Sequence, residues 1–197
     1  MADAAITPER TEELLRALGE QLEASGARLE LVVIGGAALG VLGLIDRPTS
    51  DVDVVAIREG TKLVVAKPLP SILEDAAKRV ATDFGLPSNW LNAEPSEELV
   101  RLGLPEGFER RLVTRTFGQG LTVLFADRYD QIHFKLYAMV DRGLGRHQQD
   151  LEALHPTPAE LIAAARWART HDPSQGFREE LAGVLRYLGV PDDADLD

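Results

Sequence analysis

Apolar positions along this chain change period several times, and each change marks an element. In "TPERTEELLRALGEQLEAS", Leu14, Leu15, Leu18 and Leu22 recur at helical spacing behind Thr7 as N-cap and Pro8 at the first helical position. "RLELVVI" after Gly26 reads as a strand, "GGAALGVLGL" as a short helix of small residues packed closely on a sheet, and "DVDVVAI" as a second strand. "TKLVVAK" predicts a further short strand before Pro68 and Pro70. "SILEDAAKRVATDFG" predicts a helix opened by a capping box, Ser71 with Glu74, and closed at Gly85. "LPSNWLN" reads as a loop and "SEELVRLG" as a short helix, while "RRLVTRTF" and "LTVLFA" form a hairpin around Gly118 and Gly120.

"DRYDQIHFKLYAMVDRG" then predicts a helix with Ile132, Leu136 and Met139 on one side. The last third is helical throughout: "HQQDLEALHP", then "TPAELIAAARWART" with a capping box of Thr157 and Glu160, then "FREELAGVLRYLG" and an acidic tail, "PDDADLD". This order predicts an α/β (α+β) architecture: a mixed β-sheet core flanked by helices over residues 1–142, with a helical C-terminal part, 143–197, packed on it.

Composition narrows the function classes. The 197 residues suffice for one sizeable core, and 45% hydrophobic with 27% charged residues is ordinary for a soluble globular chain. No apolar run reaches the roughly 20 residues that span a bilayer, and "MADAAITPERTEELL" lacks the basic and apolar regions of a signal peptide. No cysteine is present, which excludes disulfides, thiolate catalysis and cysteine zinc sites. A cytoplasmic address without membrane contact is the expectation. The net charge of −11 disfavours a general nucleic-acid coat, since such binding draws on Lys and Arg neutralising phosphates. A local basic cleft, or a nucleotide held through a metal, stays open.

The stretch with chemistry is "VVIGGAALGVLGLIDRPTSDVDVVAI". Alternation along a strand puts Asp51 and Asp53 on one face, with Val52 and Val54 on the other. Two neighbouring carboxylates repel unless one is protonated or a cation lies between them. A divalent metal is the simplest offset, because Mg²⁺ takes one or two carboxylates plus substrate phosphate oxygens. The bland reading is an acidic, solvated strand face after a surface turn. Gly35 and Gly36, between a strand and a helix, let an anion approach exposed backbone N–H groups, or they serve close packing of helix on sheet.

Here the chain resembles the nucleotidyltransferase superfamily with the DNA polymerase β-like fold. It is nearest to minimal or toxin-type members such as the AbiEii-like and DUF6036-like groups. "GGAALGVLGLIDRPTSDVDV" looks like their glycine pair followed by Asp-hydrophobic-Asp, with Arg47 and Thr49 matching an R-x-T-x-D-x-D form. "FKLYAMVDRGLGRHQQDLEAL" resembles their K-x-x-A-x-x-x-R-x-x-x-R-D-x-x-D-L helix pair. The resemblance implies that Gly35 and Gly36 cradle a nucleoside triphosphate, with Arg47, Thr49 and Ser50 beside them. It further implies that Asp51 and Asp53 ligate Mg²⁺ and that Lys135 contacts phosphate, with catalysis resting on Asp51, Asp53 and Lys135. Asp150 matches a late acidic position; an active-site acid, a cap for Arg142 or Arg146, and a structural ion pair are its open readings. By itself Lys135 reads as a solvated helix charge.

Two departures from the family pattern stand out. Gly36 occupies a position where many members carry Ser, and "LTVLFA" holds no third carboxylate; Asp127 and Asp130, just after it, read equally as helix caps. Trp90 offers a stacking surface for a base with Asn89 and Asn92 as hydrogen-bond partners, or else a packing anchor. Arg110, Arg111 and Arg115 form a basic run on a predicted strand, and the four histidines show no metal-ligand spacing.

The leading expectation is a Mg²⁺-dependent nucleotidyltransferase that moves an NMP from an NTP to a hydroxyl of RNA, protein or a small molecule. The toxin half of a toxin–antitoxin pair, with an antitoxin protein as partner, is the setting the resemblance implies. The alternative from another class is a nucleotide-binding or partner-binding module of the same fold without turnover. A third is a structural protein whose aspartates are ordinary surface charge.

Overall fold

The structure, a computed structural model, describes residues 5–143 and 145–191. The first four residues and the acidic tail from Asp192 lie outside the described residues. The chain divides into two units. The first takes the chain up to Leu104 together with Glu109–Ala126; the second takes Pro105–Phe108 and the chain from Asp127 onward.

In the first unit, helix α1 (Pro8–Ala24) is capped by the Thr7 hydroxyl, which accepts the Arg10 N–H, and it buries Leu14, Leu15, Leu18 and Leu22 completely. Strand β1 (Leu29–Ile34) follows, then helix α2 (Gly35–Val41), β2 (Val52–Glu59), β3 (Lys62–Val65), helix α3 (Ser71–Phe84) and the two-residue strand β4 (Leu91–Asn92). Helices α4 (Ser96–Leu102) and α5 (Phe108–Arg111) lead to the hairpin β5 (Val113–Phe117) and β6 (Leu121–Phe125). The sheet runs β3-β2-β1-β6-β5, with β4 also on β2, six strands among the described residues. Central β1 is antiparallel to β2 and parallel to β6, so the sheet is mixed as expected. A register shift between Val32 and Val33 lets Ile34 fall opposite Asp53. α1 approaches the β5–β6 hairpin so closely that a Cβ on Gly19 would collide with the Phe117 carbonyl oxygen.

The second unit is helical: α6 (Arg128–Arg142), α7 (Arg146–Ala153), α8 (Pro158–His171) and α9 (Gln175–Tyr187). α6 packs on all three of the others and contributes Ile132, Leu136 and Met139 to their core. Trp167 lies at the middle of an aromatic group, 5.6 Å from Phe134, 6.0 Å from Tyr137 and 4.2 Å from His171 between ring centroids. Arg128 ties the start of α6 to the α7–α8 turn, donating to the Leu154 and His155 carbonyls and to Glu160 at 2.6 Å. Glu160 also closes the predicted capping box with Thr157.

By contacts the chain divides after Ala126, and α6 is amphipathic toward the later helices and shares their core. Several expectations need correction. No capping box opens α3: Pro70 holds the N-cap position and Ser71 is already the first helical residue. "LPSNWLN" is not all loop, since β4 lies within it. Arg110 and Arg111 stand on α5; Arg115 is the member of that run on β5, where it pairs with Glu12 at 2.6 Å.

Candidate functional site

The turn from β1 into α2 is built on glycine for two separate reasons. Gly35 has φ +76, a left-handed backbone that side chains disfavour. A Cβ on Gly35 would also stand 2.8 Å from Asp53 Oδ2. A Cβ on Gly36 would stand 2.9 Å from Thr49 Oγ1 and 3.8 Å from Arg47 Nη2. The antiparallel pairing of Ile34 with Asp53 causes this convergence, because it lands the turn beside the entrance to β2. Gly35, Gly36, Arg47, Thr49 and Asp53 are therefore one constellation.

Residues 42–51 connect α2 to β2, and 45–51 among them form neither helix nor strand. Thr49 is pinned within them by a two-way backbone bridge to Ile6, at 2.8 and 2.9 Å, and its hydroxyl reaches the Asp51 carbonyl at 3.4 Å. Arg47 donates to the Pro48 carbonyl at 2.9 Å, and Ser50 is exposed. Asp51 lies just before β2 and Asp53 within it; both are partly buried, whereas Val52 and Val54 are core residues. Two carboxylates are hard donors of the kind Mg²⁺ takes, and the Gly35 turn lies against one of them. No cluster of three or more His, Cys, Asp or Glu suited to a metal occurs among the described residues.

On the other edge of β2, β4 runs parallel and sets Asn92 opposite Asp53. The Asn92 side-chain oxygen accepts the Glu94 N–H at 3.0 Å, a local turn that orients the amide. Trp90 offers no stacking surface for a base. It is 0% exposed, its indole N–H donates to the Ala77 carbonyl at 3.0 Å, and its own carbonyl accepts the Val52 N–H. Pairing of β4 with β2 draws the indole into the core, which settles it as a packing anchor.

In the second unit, Asp127 caps α6, its carboxylate accepting the Asp130 N–H at 3.0 Å. Lys135 is not a solvated charge: it is buried, and its Nζ lies 2.7 Å from Asp150 Oδ2, with the two side chains 7% and 1% exposed. Sequence reasoning weighed these two residues separately and missed the pair. It also missed His147, one turn before Asp150 on α7. Burial, then the positive charges of Lys135, Arg146 and Arg142, hold the His147 imidazole down at about 4, against an opposing pull from Asp150. The i, i+3 spacing of His147 and Asp150 was the available signal. For Ile6 there was none.

Residues 12–153 match a family described as "Nucleotidyltransferase of unknown function (DUF6036)". No curated protein matches the chain, and no solved structure does.

Proposed function

This chain belongs to the DUF6036 family of nucleotidyltransferases, and we propose that it moves an NMP group from an NTP to an acceptor hydroxyl, with Mg²⁺ held by Asp51 and Asp53. The observation that carries this reading is the closure of the Gly35–Gly36 turn onto Asp53 and Thr49. It puts the approachable backbone, the Asp53 carboxylate and the Thr49 hydroxyl within one contact layer.

In this reading Gly35 and Gly36 admit the triphosphate, and Arg47, Thr49 and Ser50 supply polar contacts around it. Bound Mg²⁺ supplies neutralisation of phosphate charge and orientation for in-line displacement. The acceptor oxygen bonds to the α-phosphorus as the bond to pyrophosphate breaks, and the hydroxyl proton passes to water. A phosphate role for Lys135 rests on the resemblance alone; within the second unit its ammonium is held by Asp150. The toxin setting, an antitoxin partner and an RNA, protein or small-molecule acceptor rest on the resemblance alone. No helix among the described residues is long and apolar enough to cross a membrane.

The test is transfer of α-labelled NTP by wild type and by Asp51→Asn with Asp53→Asn. Loss of labelling with an unchanged circular-dichroism spectrum and melting curve supports the mechanism; equal labelling by both proteins sinks it. One observation favours a second reading, Mg²⁺–NTP binding without transfer. On the β4 side, the residue opposite Asp53 is Asn92, an amide that cannot act as a base near neutral pH. Calorimetric binding of an NTP without pyrophosphate release selects that reading.

A further inference from the structure

We propose that the segment Ile6–Pro8 is a brace that positions Thr49, and through it the Gly36 turn and Asp51, for the nucleotide site. This deepens the reading above and rests on it. The segment lies ahead of the family-matched residues, which begin at residue 12.

The geometry is specific. Residues 45–51 belong to no helix or strand, and among the described residues their β-bridge is to Ile6. The Ile6 N–H donates to the Thr49 carbonyl at 2.8 Å, and the Thr49 N–H donates to the Ile6 carbonyl at 2.9 Å. The Ile6 side chain is 0% exposed and belongs to the same core cluster as Ala37, Ala38 and Val52. Two residues on, the Pro8 ring meets α2: a Cβ on Gly40 would stand 3.1 Å from Pro8 Cγ. One three-residue segment therefore holds both walls of the constellation, the loop through Ile6 and the helix through Pro8.

A connector without secondary structure opens locally at little cost. Two backbone bonds anchored by a buried isoleucine raise that cost where it matters, because ligand-holding groups need placement to within about 0.5 Å. Thr49 transmits the position. Its Oγ1 sits over Gly36, and it bonds the Asp51 carbonyl. Ile6 touches no substrate in this scheme; it is a positioning residue.

The experiment combines amide hydrogen exchange with steady-state labelling by the four Mg²⁺–NTPs, on wild type, Ile6→Ala, Ile6→Val and Ile6→Pro. Ile6→Pro keeps an apolar side chain and deletes the N–H that bonds Thr49; it replaces Ile6→Ala should that variant fail to fold. Ile6→Ala and Ile6→Pro are expected to speed exchange across residues 47–51 at least about ten-fold, leaving β1 and β6 amides protected. They should raise KM about ten-fold with kcat within about two-fold, the loss of one well-placed contact. Ile6→Val should restore both. Adding Ile6→Ala to Thr49→Val should raise KM no further than Thr49→Val alone, since residues acting through one another are non-additive. Exchange that rises evenly over the first unit, a fall in kcat at constant KM, or additive effects overturn the brace. If wild type neither binds nor uses any of the four NTPs, the nucleotide reading fails. The exchange pattern at 47–51 then still decides whether Ile6 holds Thr49.

Discussion

Asp53 Oδ2 lies 2.8 Å from where a Cβ on Gly35 would stand, so the carboxylate of β2 and the turn after β1 share one contact. An alanine there meets two penalties, crowding of the carboxylate and a backbone at φ +76. Gly35→Ala should destabilise the fold by about 1–2 kcal/mol through the left-handed conformation alone. It should also cut NTP labelling more than Gly36→Ala does, because only Gly35 crowds Asp53. Urea melts and labelling of both variants, run side by side, check the order.

Lys135 and Asp150 form a buried pair, and removing one partner strands the other. Lys135→Met and Asp150→Leu are each expected to cost about 3–5 kcal/mol, while the double variant recovers most of the loss. Denaturant midpoints of the three proteins measure the cycle. The folded double variant then isolates chemistry from stability: loss of NTP labelling in it supports the phosphate role assigned to Lys135, and full labelling removes that role.

His147 titrates in the folded protein at about 4, below its ordinary 6.5, chiefly because burial opposes its charge. As pH falls through 6.5 the unfolded chain takes up the proton first, so stability drops from about pH 6.5 to about 4 and then levels. His147→Gln should flatten that limb of a plot of melting temperature against pH.

Glu160 is also held below its ordinary value, and its stability contribution likewise falls as pH falls, but at lower pH. The Arg128 guanidinium and the Thr157 cap hold its carboxyl down at about 2, against an ordinary 4.5. Its contribution is complete above pH 4.5 and is lost as pH falls through about 2. Glu160→Gln should lower the melting temperature at neutral pH and reduce its fall between pH 4.5 and 2, a window lying mostly below that of His147.

Local chemistry accounts for what could be read in advance. Thr7 and Thr157 were legible as caps because a cap and its partner lie within three residues of each other. Ser71 with Glu74 has the same signature and misleads, because the preceding Pro70 takes the N-cap position instead. β4 escaped notice because two residues carry no period, and its pairing exists only once β2 is alongside. The apolar stripe of α6 says that it packs, not on what.

By itself the sequence determined the helices and strands with strong periods and the glycine turn after β1. Each of those depends on residues a few positions apart. Tertiary structure alone decided that Thr49 stands over Gly36, that Asn92 lies beside Asp53, that Trp90 is core, and that Ile6 bridges Thr49. It also decided that Lys135 is buried against Asp150. These contacts join residues brought together by strand order and helix packing, and no periodicity along the chain records which strand or helix will be the neighbour.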